Sequence, residues 1–431
     1  MSKPKKTVID TSWEKLFEKY SILDHINRDG VFNITSAQIN EFHQARLMAK
    51  FDYQEKLPQI FLQNELAILP MTNRSYVIGR FNIFEKIKHN RLETKDAKKL
   101  PNHITAIDIE HISSETTALL CANICGILAS FFDEEQITHV IGGRMGSGEF
   151  DFKLSDINFS VSKSQIEIDG GFESENYIYL VEVKNLIHDN FLVRQIYYPY
   201  RTWTKKLEEQ RINKKVRNIF LTYSDGNFYL REYEFEQPED PSSIKMVKED
   251  RYSIVKDALN LEKLQEIVDN VAIVEEPEVP FPQCNDLDKV INLCELLCYK
   301  NEAMSKAEIA EEFHFVDRQA DYYGNGARYL DLIVYNQNQT YSLTQLGEKV
   351  FAQSLQQRQI ELVRIILSHK PFNIVMKDYI TQSECPSYKR VLELLKDYDM
   401  YKVDDKEGAT FKRRCSTIRR WVNWILDRVE V

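Results

Sequence analysis

At 431 residues the chain exceeds what one hydrophobic core usually serves, so two or three domains are expected. A composition that is 43% hydrophobic and 28% charged is that of an ordinary soluble globular protein, and no apolar run reaches the roughly 18 to 20 residues a membrane helix needs. The formal net charge of -10 speaks against a uniformly cationic surface, but the charges segregate: acids crowd residues 232–240 and 275–278, while bases crowd 205–217 and 412–420.

The basic start of the chain has no apolar segment or small-residue cleavage site behind it and does not read as a secretory signal. The seven cysteines are scattered, and the i, i+4 pairs Cys121/Cys125 and Cys294/Cys298 lack the further ligands of a zinc site. Buried reduced thiols and a cytoplasmic location follow.

From residue 13 the pattern is mixed. Trp13, Leu16, Phe17 and Tyr20 form a helical stripe, Asp29-Gly30 marks a turn, and Ala67-Ile68-Leu69 and Tyr76-Val77-Ile78 read as short buried strands. The basic stretch 86–99 reads as a loop, which closes an N-terminal lobe over residues 1–100. Residues 113–132 form one helix-like run opened by Ser113 and Ser114 as candidate caps. Strands follow at 150–154, 157–161, 165–169, 177–183 and 216–223, with a helix over 191–207 before the last. This order predicts an α/β core with a mixed sheet flanked by helices, over residues 101–268.

Residues 269–286 carry Pro277, Pro280 and Pro282 among acids, which is linker chemistry, and few contacts are expected to cross them. Beyond lie three helices, at 287–299, 305–312 and 316–330, then a turn at 336–338, a strand at 340–343 and a helix from Thr344. In coarse outline this is a C-terminal winged-helix-like α+β module over 287–354, followed by a helical segment over 355–431.

The informative stretch is Gln165-Ile166-Glu167-Ile168-Asp169-Gly170-Gly171, then Tyr179-Leu180-Val181-Glu182-Val183-Lys184. Strand alternation puts Glu182 and Lys184 on one face, with Asp169 across a Gly-Gly turn. Two carboxylates and an amine in this order suit metal-assisted phosphodiester hydrolysis. Mg²⁺ prefers carboxylate oxygens and keeps several waters, so Asp169 and Glu182 would hold it, with the main-chain carbonyl of Val183 as a further ligand. Lys184 would orient the attacking water or stabilise developing negative charge.

Arg144 lies in a glycine-rich segment, 142–148, read either as a flexible hairpin connection or as a DNA-contacting loop. It is not a nucleotide-binding P-loop, since no Lys-Ser/Thr ending or helix follows. Glu167 is either a second-metal ligand or an exposed strand acid. In the third helix of the C-terminal module, Arg318, Gln319, Tyr322, Asn325 and Arg328 form a dense set of base-edge and phosphate partners, although Asp317 and Asp321 would repel phosphates. Lys412, Arg413 and Arg414 either hold backbone phosphates or make a solvated helix face with Trp421 and Trp424 in the core.

The stretch from Asp169 to Lys184 resembles the PD-(D/E)xK nuclease superfamily, with Asp169 at the first acid and Glu182-Val183-Lys184 at (D/E)xK; Ile168 stands where the motif has proline. The segment Phe191-Leu192-Val193-Arg194-Gln195-Ile196-Tyr197-Tyr198-Pro199-Tyr200-Arg201 looks like the helix after the catalytic strand in a group of type II restriction enzymes. Residues 45–52, 67–70, 316–323 and 411–424 also resemble that group. The resemblance implies a PD-(D/E)xK restriction-endonuclease-like core and sequence-specific cleavage of double-stranded DNA with Mg²⁺ in a prokaryotic cytoplasm, with the flanking lobes, the N-terminal lobe over 1–100 among them, serving DNA recognition. It further implies that Arg194 and Gln195 face the active site, with Gln195 catalytic, and it makes Glu115 a candidate for the helix carboxylate that some relatives add. A first-turn Glu115 also simply favours the helix dipole. A homodimer is left open. The alternatives are a methylation-dependent or repair endonuclease, or a DNA-binding regulator with an inactive core; the joint presence of Asp169, Glu182 and Lys184 argues against the last.

Overall fold

The computed structural model describes residues 6–88, 92–96, 99–254, 259–313, 317–401, 403, 405–406 and 408–430. The N-terminal lobe opens on helix Val8–Lys19, capped by Thr7 and Asp10 in a reciprocal box. Its i, i+3, i+4 stripe of Trp13, Leu16 and Phe17 is buried, with Trp13 and Phe17 edge-on to Phe61, in a cluster that also takes in Ile34, Ile68 and Ile78 of a three-stranded antiparallel sheet whose central strand is Ser75–Gly79.

The centre is a seven-stranded mixed sheet. Its strands in chain order are β1 (Thr94–Asp96), β2 (Thr138–Gly146), β3 (Gln165–Glu173), β4 (Tyr177–Lys184), β5 (Lys215–Ser224), β6 (Asn227–Phe235) and β7 (Ile244–Ser253), arranged β1-β7-β6-β5-β4-β3-β2. The pairs β4–β5 and β7–β1 are parallel and the others antiparallel. Helices cover both faces. Tyr179, Val181 and Val183 of β4 pack with α1 (Glu115–Ile124), whereas Ile178 and Leu180 join the cluster under α2 (Arg194–Gln210). Period-2 alternation therefore assigns the even-numbered positions of β4 to the α2 side.

Several expectations change here. The stretch 86–99 contributes β1, so the sheet begins before residue 100. The run 113–132 is two helices, α1 and Ile127–Phe132, because Gly126 takes a left-handed conformation between them. Residues 142–148 are no loop: most belong to β2, an edge strand paired with β3. Gly170-Gly171 is not a turn but lies inside β3. A Cβ at Gly170 would sit 2.5 Å from Leu119 of α1, and one at Gly171 would sit 2.5 Å from Ile141 of β2, so the glycines permit close packing of helix and strand.

The C-terminal half has one continuous core. It contains α3 (Leu287–Lys300), α4 (Lys306–Glu312), α5 (Asp317–Tyr329), a three-stranded sheet from 304–305, Ile333–Tyr335 and Thr340–Leu343, four shorter helices, and α6 (Ala409–Leu426). Residues 269–286 do not form a free linker: Phe281 and Cys284 are buried in this core, and Trp421 Nε1 donates to the Cys284 carbonyl at 2.9 Å. Helix Leu261–Asn270 belongs to the same core. Of the cysteines, Cys298 is half-buried and Cys385 exposed, the other five buried.

The two halves are joined by buried polar contacts. The β5–β6 turn carries Asp225, which is fully buried and accepts from Arg358 Nη2 at 2.8 Å; the same nitrogen donates to Glu295 at 2.8 Å. Asn292 Nδ2 donates to Ser224 Oγ at 3.0 Å, and Lys289 pairs with Asp189 at 2.8 Å. Removing one partner of a buried pair leaves an uncompensated charge. Arg358→Ala should therefore lower stability by about 3–5 kcal/mol in chemical denaturation. A chain cut after Gln283 should aggregate or be rapidly digested under limited proteolysis; a soluble, cooperatively folding fragment would contradict the shared architecture.

Candidate active site

The ladder between β3 and β4 runs from Ile178↔Glu173 to Val181↔Gly170 and stops there. One residue further, β3 parts from β4 while still paired with β2 through Ile168↔Gly143 and Glu167↔Arg144. Ile166 and Ile168 pack in the cluster under α2, whereas Gly170 meets α1, so the strand exchanges faces at Asp169. The Val183 N–H loses its strand partner at this fork, and the Asp169 carboxylate replaces it, with Oδ2 accepting at 2.8 Å. The side chain is thereby fixed at the opening between the strands.

Glu182 and Lys184 are 8% and 9% exposed. Lys184 Nζ donates to Glu182 Oε1 at 2.6 Å and lies 3.5 Å from Glu115 Oε1 on the first turn of α1. Gln195 Nε2, on the first turn of α2, donates to the same Glu182 oxygen at 2.6 Å. Neither bond uses Glu182 Oε2. Gln195 Oε1 is buried and has no partner among the described residues. Asp169, Glu182, Lys184, Gln195 and Glu115 are thus brought together. Arg194 lies beside them over the Tyr198 ring, 5.7 Å from its centroid. Glu167 is exposed and paired with Arg144 at 3.3 Å, outside this cluster.

Electrostatics follow from the crowding. Burial, opposed by Lys184 and reinforced by Asp169 and Glu115, pushes the Glu182 carboxyl up to about 8. Burial also raises Glu115, again against Lys184 and with Asp169. Lys184 is pulled down by burial, yet Glu182, Tyr53, Glu115 and Asp169 together hold it well above the usual lysine value. Three carboxylates face one ammonium, with Glu182 and Lys184 nearly buried and the Glu115 side chain 40% exposed. Their donors are hard oxygens, Gln195 Oε1 is orphaned and Glu182 Oε2 takes part in neither bond, so the residues fit a hard divalent cation. No three Asp, Glu, His or Cys side chains among the described residues form a ligand set by themselves. A cation here would rest on the Asp169–Glu182 pair and main-chain oxygen, with water completing its shell.

A cleft of about 850 Å³ opens over the cluster, walled by Arg144, Arg194 and Pro199 on the sheet side and by Arg46, Lys50 and Tyr53 of the N-terminal lobe. The resemblance gives the lobe as a whole to DNA recognition but singles out none of these residues. Arg46 and Lys50, both exposed and four apart, were the available signal. Tyr53 is buried and stacks on His188, four residues after Lys184, at 3.7 Å.

The C-terminal candidates are placed differently. None of the described side chains of α5 is exposed. Arg328 donates to Asn325 at 3.1 Å, and Gln319 and Tyr322 are half-buried. The side chain of Arg318 lies outside the described residues. Lys412 and Arg413 are exposed, but Arg414 is not a surface phosphate ligand: it is 6% exposed, burial draws its guanidinium down to about 10, and Gln283 Oε1 accepts from it at 2.9 and 2.8 Å. Trp421 and Trp424 are in the core.

Three family models match consecutive parts of the chain, each a domain of unknown function: DUF6996 over residues 10–78, DUF6997 over 79–253 and DUF7226 over 289–430. The first ends with the N-terminal sheet and the second with β7. No curated protein and no solved structure matches the chain.

Because the Glu182 carboxyl titrates higher in the folded chain than unfolded, it favours the folded state below its unfolded value. That contribution is lost as pH rises through about 8. In metal-free protein, the unfolding temperature of wild type should fall by several degrees relative to Glu182→Gln between pH 5 and 8.5. Parallel curves for the two proteins would refute the buried-acid assignment.

Proposed function

We propose that this chain is a Mg²⁺-dependent double-stranded DNA endonuclease of the PD-(D/E)xK type, acting as a sequence-specific restriction enzyme, with the C-terminal half built around a winged-helix-like module. The observation that carries the reading is the meeting, at the fork between β3 and β4, of Asp169, Glu182 and Lys184, with Gln195 on the same carboxylate oxygen. A bound magnesium ion would offset charge on the phosphoryl oxygens and lower the pKa of a water. Asp169, Glu182 and the Val183 carbonyl are the residues that would hold it.

The chain's own groups do the rest. The Val183 N–H holds the Asp169 carboxylate, and Gln195 and Lys184 fix Glu182 from one side. Lys184, kept charged by its acidic neighbours, supplies a compact positive group for the charge that builds on the phosphate in the transition state. Arg46 and Lys50 on one wall of the cleft, and Arg144 and Arg194 on the other, are arranged to take the flanking backbone phosphates. In this reading the N-terminal lobe joins the cut-site contacts, and α5 contributes less to base reading than its composition suggests, because its described polar side chains are half-buried and partly paired.

Single-turnover cleavage with DNA at saturation tests the chemistry. Asp169→Ala and Glu182→Ala should abolish cutting in Mg²⁺ and retain DNA binding. Lys184→Ala should slow it by orders of magnitude without rescue by Lys184→Arg, since a planar guanidinium does not replace a compact ammonium. Ca²⁺ should support binding without efficient turnover. Wild-type rates in any of the three alanine variants sink the proposal, and binding without cutting by the wild type favours a regulator.

The cleft walls give a separate expectation. Arg46→Ala with Lys50→Ala should weaken binding of unrelated DNA sequences alike and reduce the salt slope of log K by about 2. An unchanged slope would remove the N-terminal lobe from the DNA path.

A further inference from the structure

A second polar recess lies away from the carboxylate cluster, where the sheet meets the end of α6. It measures about 340 Å³ and is lined by Thr222, Tyr229, Arg231, Arg251, Asn423 and Arg428, among others. That size is at the lower end of the range for small-molecule sites, roughly 300–1,000 Å³.

Its arginines are not equivalent. Arg231 pairs with Glu249 at 2.7 Å and Arg428 with Asp288 at 3.0 Å. Arg251, only 5% exposed, has no carboxylate partner among the described residues: its Nε and Nη2 donate to the neutral Asn227 Oδ1 at 3.1 and 2.9 Å. A buried cation that is bonded directly to no carboxylate is costly and is an unusual feature to keep in a core. Among the described residues, Arg428 Nε is buried without an acceptor, and Asn423 Oδ1, just over a turn earlier, is buried without a donor. Among the described residues, a donor and an acceptor without hydrogen bonds and a guanidinium bonded only to a neutral amide and set over the Tyr229 ring therefore share one recess.

Asp286 and Asp427 line the same space. They disfavour a bare polyanion and favour a compact ligand with hydroxyl donors next to its anionic group. Two guanidinium groups from different elements suit an oxyanion with several terminal oxygens better than a single carboxylate. We propose that this recess binds a hydroxyl-bearing phosphate monoester of sugar-phosphate size, its phosphate on Arg251 and Arg428 Nε and a hydroxyl donating to Asn423 Oδ1. The proposal does not depend on the nuclease reading, since none of these residues belongs to the cleft cluster.

Isothermal titration of the full chain with ribose 5-phosphate, in chloride buffer of fixed ionic strength, tests it. Saturable one-to-one binding is expected, weakened about tenfold or more by Arg251→Gln and by Asn423→Asp and unchanged by Asp169→Asn. Unfolding temperatures identify any variant that fails to fold, and the two substitutions sit on different elements, so one failure leaves the other informative. Displacement by a 5′-phosphorylated DNA duplex would assign the phosphate to a DNA end, and lack of displacement to a free small molecule; either fits the same chemistry. Absence of saturable binding, or equal affinity in wild type and both variants, overturns the proposal and leaves a hydrated polar interior only.

Discussion

The organisation of the candidate site rests on one backbone event, the parting of β3 from β4 at Asp169. A strand that leaves its neighbour strands an N–H group in the interior, and an unpaired buried N–H costs free energy comparable to a lost hydrogen bond. Here a side-chain carboxylate takes the place of the missing main-chain oxygen. The repair has a chemical by-product: it brings an acid to the edge of the space that the fork opens, facing the residues that β4 carries beyond the ladder. Gly170 and Gly171 make the fork feasible by letting Leu119 and Ile141 approach to distances a side chain would forbid. Structure and chemistry thus share a residue at this fork.

The same geometry sets the electrostatic character of the site. Glu182 and Lys184 are both nearly buried, a pairing that solvation alone would not select. Lys184 is retained in charged form by acids converging from β3, β4 and α1, and Gln195 adds a neutral donor without adding charge. Around this acid-rich centre the cleft rim carries Arg46, Lys50, Arg144 and Arg194, with Asp52 beside Lys50 and Glu167 beside Arg144. The rim is assembled from two units that meet only in space, the lobe that carries Arg46 and Lys50 and the sheet that carries Arg144 and Arg194.

Much of this was legible in the chain, for identifiable reasons. Alternation in Leu180-Val181-Glu182-Val183-Lys184 placed the strand and its polar face correctly, because a period of two is set by the backbone itself. Helix starts at Ser114, Ser305 and Thr344 were readable because capping is local chemistry. What failed was the reading of glycine and proline. Gly170-Gly171 looks like a break, yet these glycines serve close packing, which depends on partners distant in sequence, and residues 142–146 look like a loop, yet most of them pair with β3. Pro277, Pro280 and Pro282 look like a linker, yet Phe281 and Cys284 between and after them are anchored in a core assembled from helices encoded later. Arg414 was misplaced for the same reason: its basic neighbours Lys412 and Arg413 suggest a surface, and only the rotation of α6 against Gln283 shows that it points inward.

The β5–β6 turn has a consequence in time. Asp225 is made 133 positions before Arg358, the cation that neutralises it in the finished fold. At translation rates of roughly 5–20 residues per second, the gap is on the order of ten seconds. Throughout that interval the turn can satisfy its carboxylate only with water, and it must stay hydrated while the strands on either side gather. The tip of the sheet, encoded near the middle of the chain, is therefore among the last parts to close. Chain synthesis itself acts as a clock on maturation, holding back the complete architecture until the later helices have left the ribosome.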